Sequence, residues 1–187
     1  MTEWNAAEYS QRSGLQQAMA EEVLALLELE GSERVLDVGC GDGKVTAAIA
    51  ARVPRGTVVG VDASRDMITF ASSHFGPTVR PNLRFEVADA RVLPFRNQFN
   101  RIVSFNALHW IPEQDKALRS IRSAMTPDGQ ALIRLVPKGE RKSLENGLRI
   151  APPGLPYPTA RSVSVRRTSR AWSYCFVSPH PWNKGTL

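Results

Sequence analysis

Between residues 34 and 137 the chain switches repeatedly between two hydrophobic periods. "RVLDV" (34–38), "TVVGVD" (57–62), "LRFEVAD" (83–89), "RIVSFN" (101–106) and "QALIRLVP" (130–137) are short, rich in β-branched residues and largely apolar. Runs of that kind fit strands buried on both faces, as in a parallel sheet. Between them, apolar residues recur three and four apart. This predicts helices over 44–52, over 64–75 with Ser64 as N-cap, and over 114–125 with Ala117, Leu118, Ile121 and Met125 on one face. Leu15, Met19, Val23, Leu26 and Leu27 predict a further helix over 15–30, stopped by Gly31. "PRG" (54–56) and "TPDG" (126–129) read as turns. Strands alternating with helices predict an α/β fold, a doubly wound and mostly parallel sheet with helices on both faces. In such sheets ligands sit beyond the carboxyl ends of the strands, where the strand order reverses. Gly39, Asp62, Asp89 and Asn106 all fall at those ends.

After about Lys138 the alternation fails. "SVSVRR" (162–167) alternates like a strand and "AWSYCFV" (171–177) is a second candidate, but neither is flanked by a helical crossover. Six prolines follow Asn146. The expectation is a largely irregular tail over 138–187 and a sheet lacking its usual last strands.

Charge sharpens that boundary. The net charge of +6 suggests an anionic partner, yet residues 1–145 hold 18 basic and 18 acidic residues and are neutral overall. The other 6 basic residues lie in 146–187, which contain no acid. No aromatic stacking platform or basic helix accompanies "RSVSVRR", so nucleic acid is not an expected partner. A length of 187 residues suits one domain with a sizeable core. No apolar run approaches the roughly 20 residues of a membrane span, and the N-terminus lacks a signal-peptide pattern. Cys40 and Cys175 make neither a disulfide framework nor a metal-ligand spacing, so no metal is expected. A cytoplasmic setting is the default, with organellar targeting left open.

The turn "VGCGDG" carries the candidate chemistry. A GxGxxG loop after a strand would cradle a dinucleotide pyrophosphate on a helix N-terminus. Here the spacing is Gly39-Cys40-Gly41-Asp42-Gly43, and Lys44 stands where the third dinucleotide glycine belongs. Asp37 and Asp42 bracket the turn with carboxylates, which repel a pyrophosphate and suit an ammonium or sulfonium group. A nucleoside carrying a cation is the better ligand. Asp37 lies inside an apolar strand, where a carboxylate is costly without a partner.

"VLDVGCGDG", "VVGVDAS", "FEVADA" and "FNRIVSFNALHWI", in that order and spacing, resemble the class I S-adenosylmethionine-dependent methyltransferases. Within them, "TEWNAAEY" and "NALHWI" are similar to the trans-aconitate methyltransferase-like and ubiquinone-biosynthesis-like group. The resemblance covers roughly residues 4–137 and implies a Rossmann-like cofactor domain over 31–137, preceded by an N-terminal lid and helix over 1–30. It implies that Gly39 and Gly41 let the backbone approach the methionine part of the cofactor. Asp37 would order the loop or hold the ammonium through water. Asp62 would accept both ribose hydroxyls, Ala63 and Met67 would flank the adenine, and Asp89 would receive the adenine amino group with the Ala90 amide near a ring nitrogen. Asn106 would contact the methionine end, and Trp4, Tyr9 and Gln11 would belong to the lid.

The expected reaction is methyl transfer to a small-molecule acceptor, with a carboxylic acid as one candidate. A carboxylate needs no base. A phenol or carbon acid calls for one, and His109 is the candidate, next to Trp110, because an unperturbed histidine titrates near neutrality. The tail departs from the family pattern, so a cofactor-binding protein without catalysis is the alternative. A dinucleotide-dependent oxidoreductase is disfavoured by Lys44 and the acids around the loop. Methyl acceptor and oligomeric state are open at this level.

Overall fold

The computed structural model describes residue 27, residues 29–135 and two further strands at 162–167 and 173–178. In chain order the elements are β1 (Arg34–Val38), α1 (Lys44–Arg52), β2 (Thr57–Asp62), α2 (Arg65–Phe75), β3 (Leu83–Val87), β4 (Phe99–Phe105), α3 (Gln114–Ala124), β5 (Met125–Leu135), β6 (Ser162–Arg167) and β7 (Ser173–Ser178). One-turn 3-10 helices at Ala90–Val92 and Leu108–Trp110 follow β3 and β4.

The strands form one sheet in the order β3-β2-β1-β4-β5-β7-β6. The pairs among β1 to β5 are all parallel, so the predicted doubly wound core is present. From the β1–β4 pair the chain winds outward in opposite directions, which puts the switch point beside the glycine turn. Each face is sealed by the predicted residues. Val35, Val58, Leu83, Val103 and Leu132 meet Ala47, Ile49 and Ala50 of α1 on one side. Leu36, Val59, Ile102 and Ile133 meet Ala117, Ile121 and Ala124 of α3 on the other. Consecutive residues of the central strands β1 and β2 are therefore buried, on alternate faces, and each fully buried aliphatic side chain contributes about 1.5–3 kcal/mol.

Local chemistry sets the helix ends. Ser64 caps α2 by accepting from the Met67 N–H, and Asp66 sits in its positive first turn. α1 has no side-chain cap and starts directly from Gly43. β3 stops two residues before the predicted end, because the Asp89 carboxylate caps the following 3-10 turn. Residues 15–26 and 28 of the predicted first helix lie outside the described residues. Leu29 and Glu30 are not helical, since the buried Glu33 carboxylate accepts the N–H groups of Glu30 (2.5 Å) and Gly31 (3.0 Å) and turns the chain into β1.

Two sequence expectations are corrected. "TPDG" does not end an element: it lies within β5, whose partner register jumps from Phe99↔Met125 to Arg101↔Gln130. The turn residues bulge out of a strand that resumes beyond them. The sheet also does not lack further strands. β7 pairs antiparallel with β5, from Ala131↔Val177 to Leu135↔Ser173, and β6 pairs antiparallel with β7. An antiparallel pair needs no helical crossover, so the criterion that marked this stretch as irregular did not apply. Among the described residues no helix is long and apolar enough to cross a membrane.

Candidate functional site

The residues just past β1, β2, β3 and β4 form one connected arrangement. Gly39 and Cys40 both donate to the Val61 carbonyl, at 2.8 and 3.0 Å, which pins the glycine turn against the end of β2. Gly39 has φ of 79° and a Cβ there would lie 2.1 Å from the Ala107 Cβ, so both conformation and space exclude a side chain. The turn after β1 is thus packed directly on the loop after β4. Ser104 adds a second tie, its hydroxyl donating to the Val38 carbonyl at 2.7 Å.

Asp62 closes β2 and is held at both oxygens. Oδ2 accepts the Gly41 N–H at 3.0 Å and Oδ1 accepts the Ser64 N–H at 2.9 Å. Each oxygen keeps a further lone pair, so the carboxylate is fixed in direction yet able to accept two more donors. Asp62 is half-buried, and the next residue, Ala63, is exposed. Met67, in the first turn of α2, is buried at 4% exposure.

Asp37 is buried at 2% exposure and accepts the Thr46 hydroxyl at 2.7 Å. Burial raises its pKa from 3.8 to about 7, against the Thr46 hydrogen bond and with help from the Asp62 charge. Burial likewise pushes the Cys40 thiol well up, with Asp37 and Asp62 adding to the effect, so Cys40 acts as small apolar filling. Asp42 carries an ion pair with Lys44 at 3.2 Å, which offsets the charge predicted at that side of the turn.

The Ala88 N–H donates to the Asp62 carbonyl at 3.0 Å, bringing the end of β3 beside that of β2. Asp89 follows, half-exposed, with the buried Ala90 opening the 3-10 turn. Hydrogen bonds from Arg91 hold the Asp89 carboxyl below the usual carboxylate range, with burial opposing. Asn106 follows directly on β4 with φ of 60°, and its N–H donates to the Arg134 carbonyl at 3.1 Å. Its side-chain Oδ1 is buried without a hydrogen-bond partner among the described residues. His109 is half-buried in the 3-10 turn three residues on, its ring 5.1 Å from that of the exposed Trp110. Trp4, Tyr9 and Gln11 lie outside the described residues.

The structure therefore gathers Asp37, Gly39, Gly41, Asp62, Asp89, Ala90 and Asn106 at adjoining strand ends. Sequence reading missed Thr46, Ser64, Ala107 and Arg91. Ser64 was read only as a cap, yet its backbone N–H also orients Asp62. Thr46 had a signal, a hydroxyl on α1 following a strand that buries an acid, whereas nothing local announces the Gly39–Ala107 contact.

Residues 35–129 match the family described as "Methyltransferase domain". The chain is 33% identical over 132 residues to trans-aconitate 2-methyltransferase of Deinococcus radiodurans, covering 71% of this chain and 49% of that protein. It is 33% identical over 149 residues to malonyl-[acyl-carrier protein] O-methyltransferase of Geobacter sulfurreducens, covering 78% and 55%. The chain spans about half the length of the curated relatives it matches. A SAM-dependent methyltransferase from Aquifex aeolicus superposes with a TM-score of 0.69 over 93% of this chain and 99% of its own, a likeness of fold at 18% identity. Because the matched domain covers more than half of the residues and contains the whole strand-end cluster up to Trp110, this chain belongs to the class I S-adenosylmethionine-dependent methyltransferases.

Proposed function

We propose that the chain binds S-adenosylmethionine across the ends of β1 to β4 and transfers its methyl group to a small carboxylic acid. The observation that carries this reading is the Asp62 carboxylate, clamped by two backbone N–H groups with lone pairs to spare. A vicinal diol such as a ribose edge supplies two donors at the spacing of one carboxylate. The fit extends beyond Asp62. The bare backbone at Gly39 leaves no side chain between the turn and a ligand, and the unpaired Oδ1 of Asn106 is an acceptor waiting for an ammonium group. A buried acceptor without a partner costs about 1–3 kcal/mol, which a donor on the ligand would recover.

In this reading Gly39 and Gly41 face the methionine part, Asp37 orders the loop beneath it through Thr46, and Asn106 receives the ammonium. Ala63 and Met67 flank the adenine, Asp89 accepts its amino group and the Ala90 amide reaches a ring nitrogen. The bound cofactor supplies a methyl carbon activated by its sulfonium. The chain's own part is to orient the two reactants and exclude water. The named acceptors of the two relatives, trans-aconitate and a malonyl group, are carboxylic acids, which supports an acid here. A carboxylate arrives ionised, so His109 as general base would matter only for a less acidic acceptor.

Calorimetric titration with S-adenosylhomocysteine tests the cofactor reading. Binding in the micromolar range, about −8 kcal/mol, is expected for the native chain and is lost in Asp62→Ala. Equal affinity in the two would remove Asp62 from the site. A second reading, cofactor binding without turnover, is raised by the basic, Pro-rich composition of residues 138–187, which departs from the family pattern. Methyl transfer to a panel of small acids separates the two.

A further inference from the structure

We propose that Arg91 is the positioning residue of the adenine site: anchored on Glu113, its guanidinium fixes the Asp89 carboxylate in one orientation so that the site selects a purine bearing an amino donor. This rests on the reading of Asp89 as the adenine acceptor.

The contacts form a fork with an anchor. The Arg91 backbone N–H donates to Asp89 Oδ1 at 2.9 Å, Nε lies 3.0 Å from Oδ1 and 2.9 Å from Oδ2, and Nη2 donates to Oδ2 at 2.6 Å. The remaining arm, Nη1, donates to Glu113 Oε2 at 2.5 Å. Glu113 is the residue just before α3, and its other oxygen pairs with Lys116. The guanidinium thus spans the loop after β3 and the start of α3. A second bond, from the Leu93 N–H to the Ser120 hydroxyl at 2.7 Å, keeps those two elements together.

An exposed ion pair of this kind contributes little to stability. Its effect here is on direction. A carboxylate offers about four lone-pair positions, and the fork engages both oxygens from one side, leaving a position for one more donor. Loss of the fork frees the Asp89 side chain to rotate, held only by the Arg91 backbone N–H. A bidentate, planar donor is the group suited to that task, and a lysine would supply charge without the fork. The Arg91 hydrogen bonds also hold Asp89 below the usual carboxylate range, so it is acceptor-only at neutral pH. An adenine amino group satisfies such an acceptor. A hypoxanthine ring presents a carbonyl oxygen at the same place and is repelled.

The test is calorimetric titration of the 187-residue chain and its Arg91→Ala and Arg91→Lys variants with two ligands, S-adenosylhomocysteine and S-inosylhomocysteine. The native chain is expected to prefer the adenine ligand by at least about tenfold, the scale of one charge-assisted hydrogen bond. In Arg91→Ala that preference narrows by about threefold or more, and Arg91→Lys falls between. General damage to the fold weakens both ligands together, so the ratio reads positioning alone. A native ratio in Arg91→Ala overturns the inference, as does tighter binding of the adenine ligand, which would make Arg91 a competitor for Asp89. A native chain that binds neither ligand overturns the cofactor reading itself, and this inference with it.

Discussion

At the residue scale, Asp37 sets a testable pH dependence. Its pKa rises on folding from 3.8 to about 7 because the ionised form is desolvated. The folded state therefore holds a proton that the unfolded state has released across that window, and stability falls as pH rises through it. The slope is at most about 1.4 kcal/mol per pH unit. Denaturant unfolding at a series of pH values checks this: Asp37→Asn, which cannot ionise, is expected to flatten the profile between pH 4 and 7, and a profile unchanged by the substitution would refute the assignment. Gly39 makes a second prediction. Alanine there meets a positive φ, costing about 1–2 kcal/mol, and the Ala107 methyl at 2.1 Å, an overpacking of about 1–3 kcal/mol. Thermal unfolding of Gly39→Ala should show a loss of about 2–5 kcal/mol, partly recovered by adding Ala107→Gly. No recovery would mean the conformation alone matters. These two residues also mark what was legible. Asp37 stood out because an acid interrupts an apolar run; a hydroxyl on the next helix hinted at Thr46, nine residues on, and the packing of α1 is what brings the two together.

At the scale of elements, the five parallel strands and three helices were readable because each carries its own hydrophobic period. Their ends were less so, since these depend on individual hydrogen bonds: the Asp89 carboxylate that stops β3, or the Glu33 carboxylate that turns the chain into β1. β6 and β7 were the misjudged elements. Their strand-like alternation was visible, but β7 pairs with β5, about 40 residues back along the chain, β6 pairs with β7, and sequence period says nothing of pairing. β7 covers the β5 edge with a ladder running from residue 131 to residue 135. A version of the chain ending after residue 161 would leave that edge open to pair with another copy. Light scattering at equal concentration should then report association of the shortened chain and not of the full one. Equal scattering would show that β7 is not what protects the edge.

At the scale of the molecule, the candidate site belongs to no single element. Its floor joins residues from the turn after β1 to residues from the loop after β4, through the Gly39–Ala107 contact and the Ser104 bond to Val38. That arrangement orders events during synthesis. When the ribosome has released β1, α1, β2 and α2, every glycine of the turn and the Asp62 clamp are already available, but the surface that presses on Gly39 has yet to be made. On the proposed reading, ligand capture awaits the emergence of residues 104–107 and their insertion beside β1. The cofactor would then bind late, to a sheet already closed around its centre, and its binding energy would act on the finished domain rather than guide the nascent one.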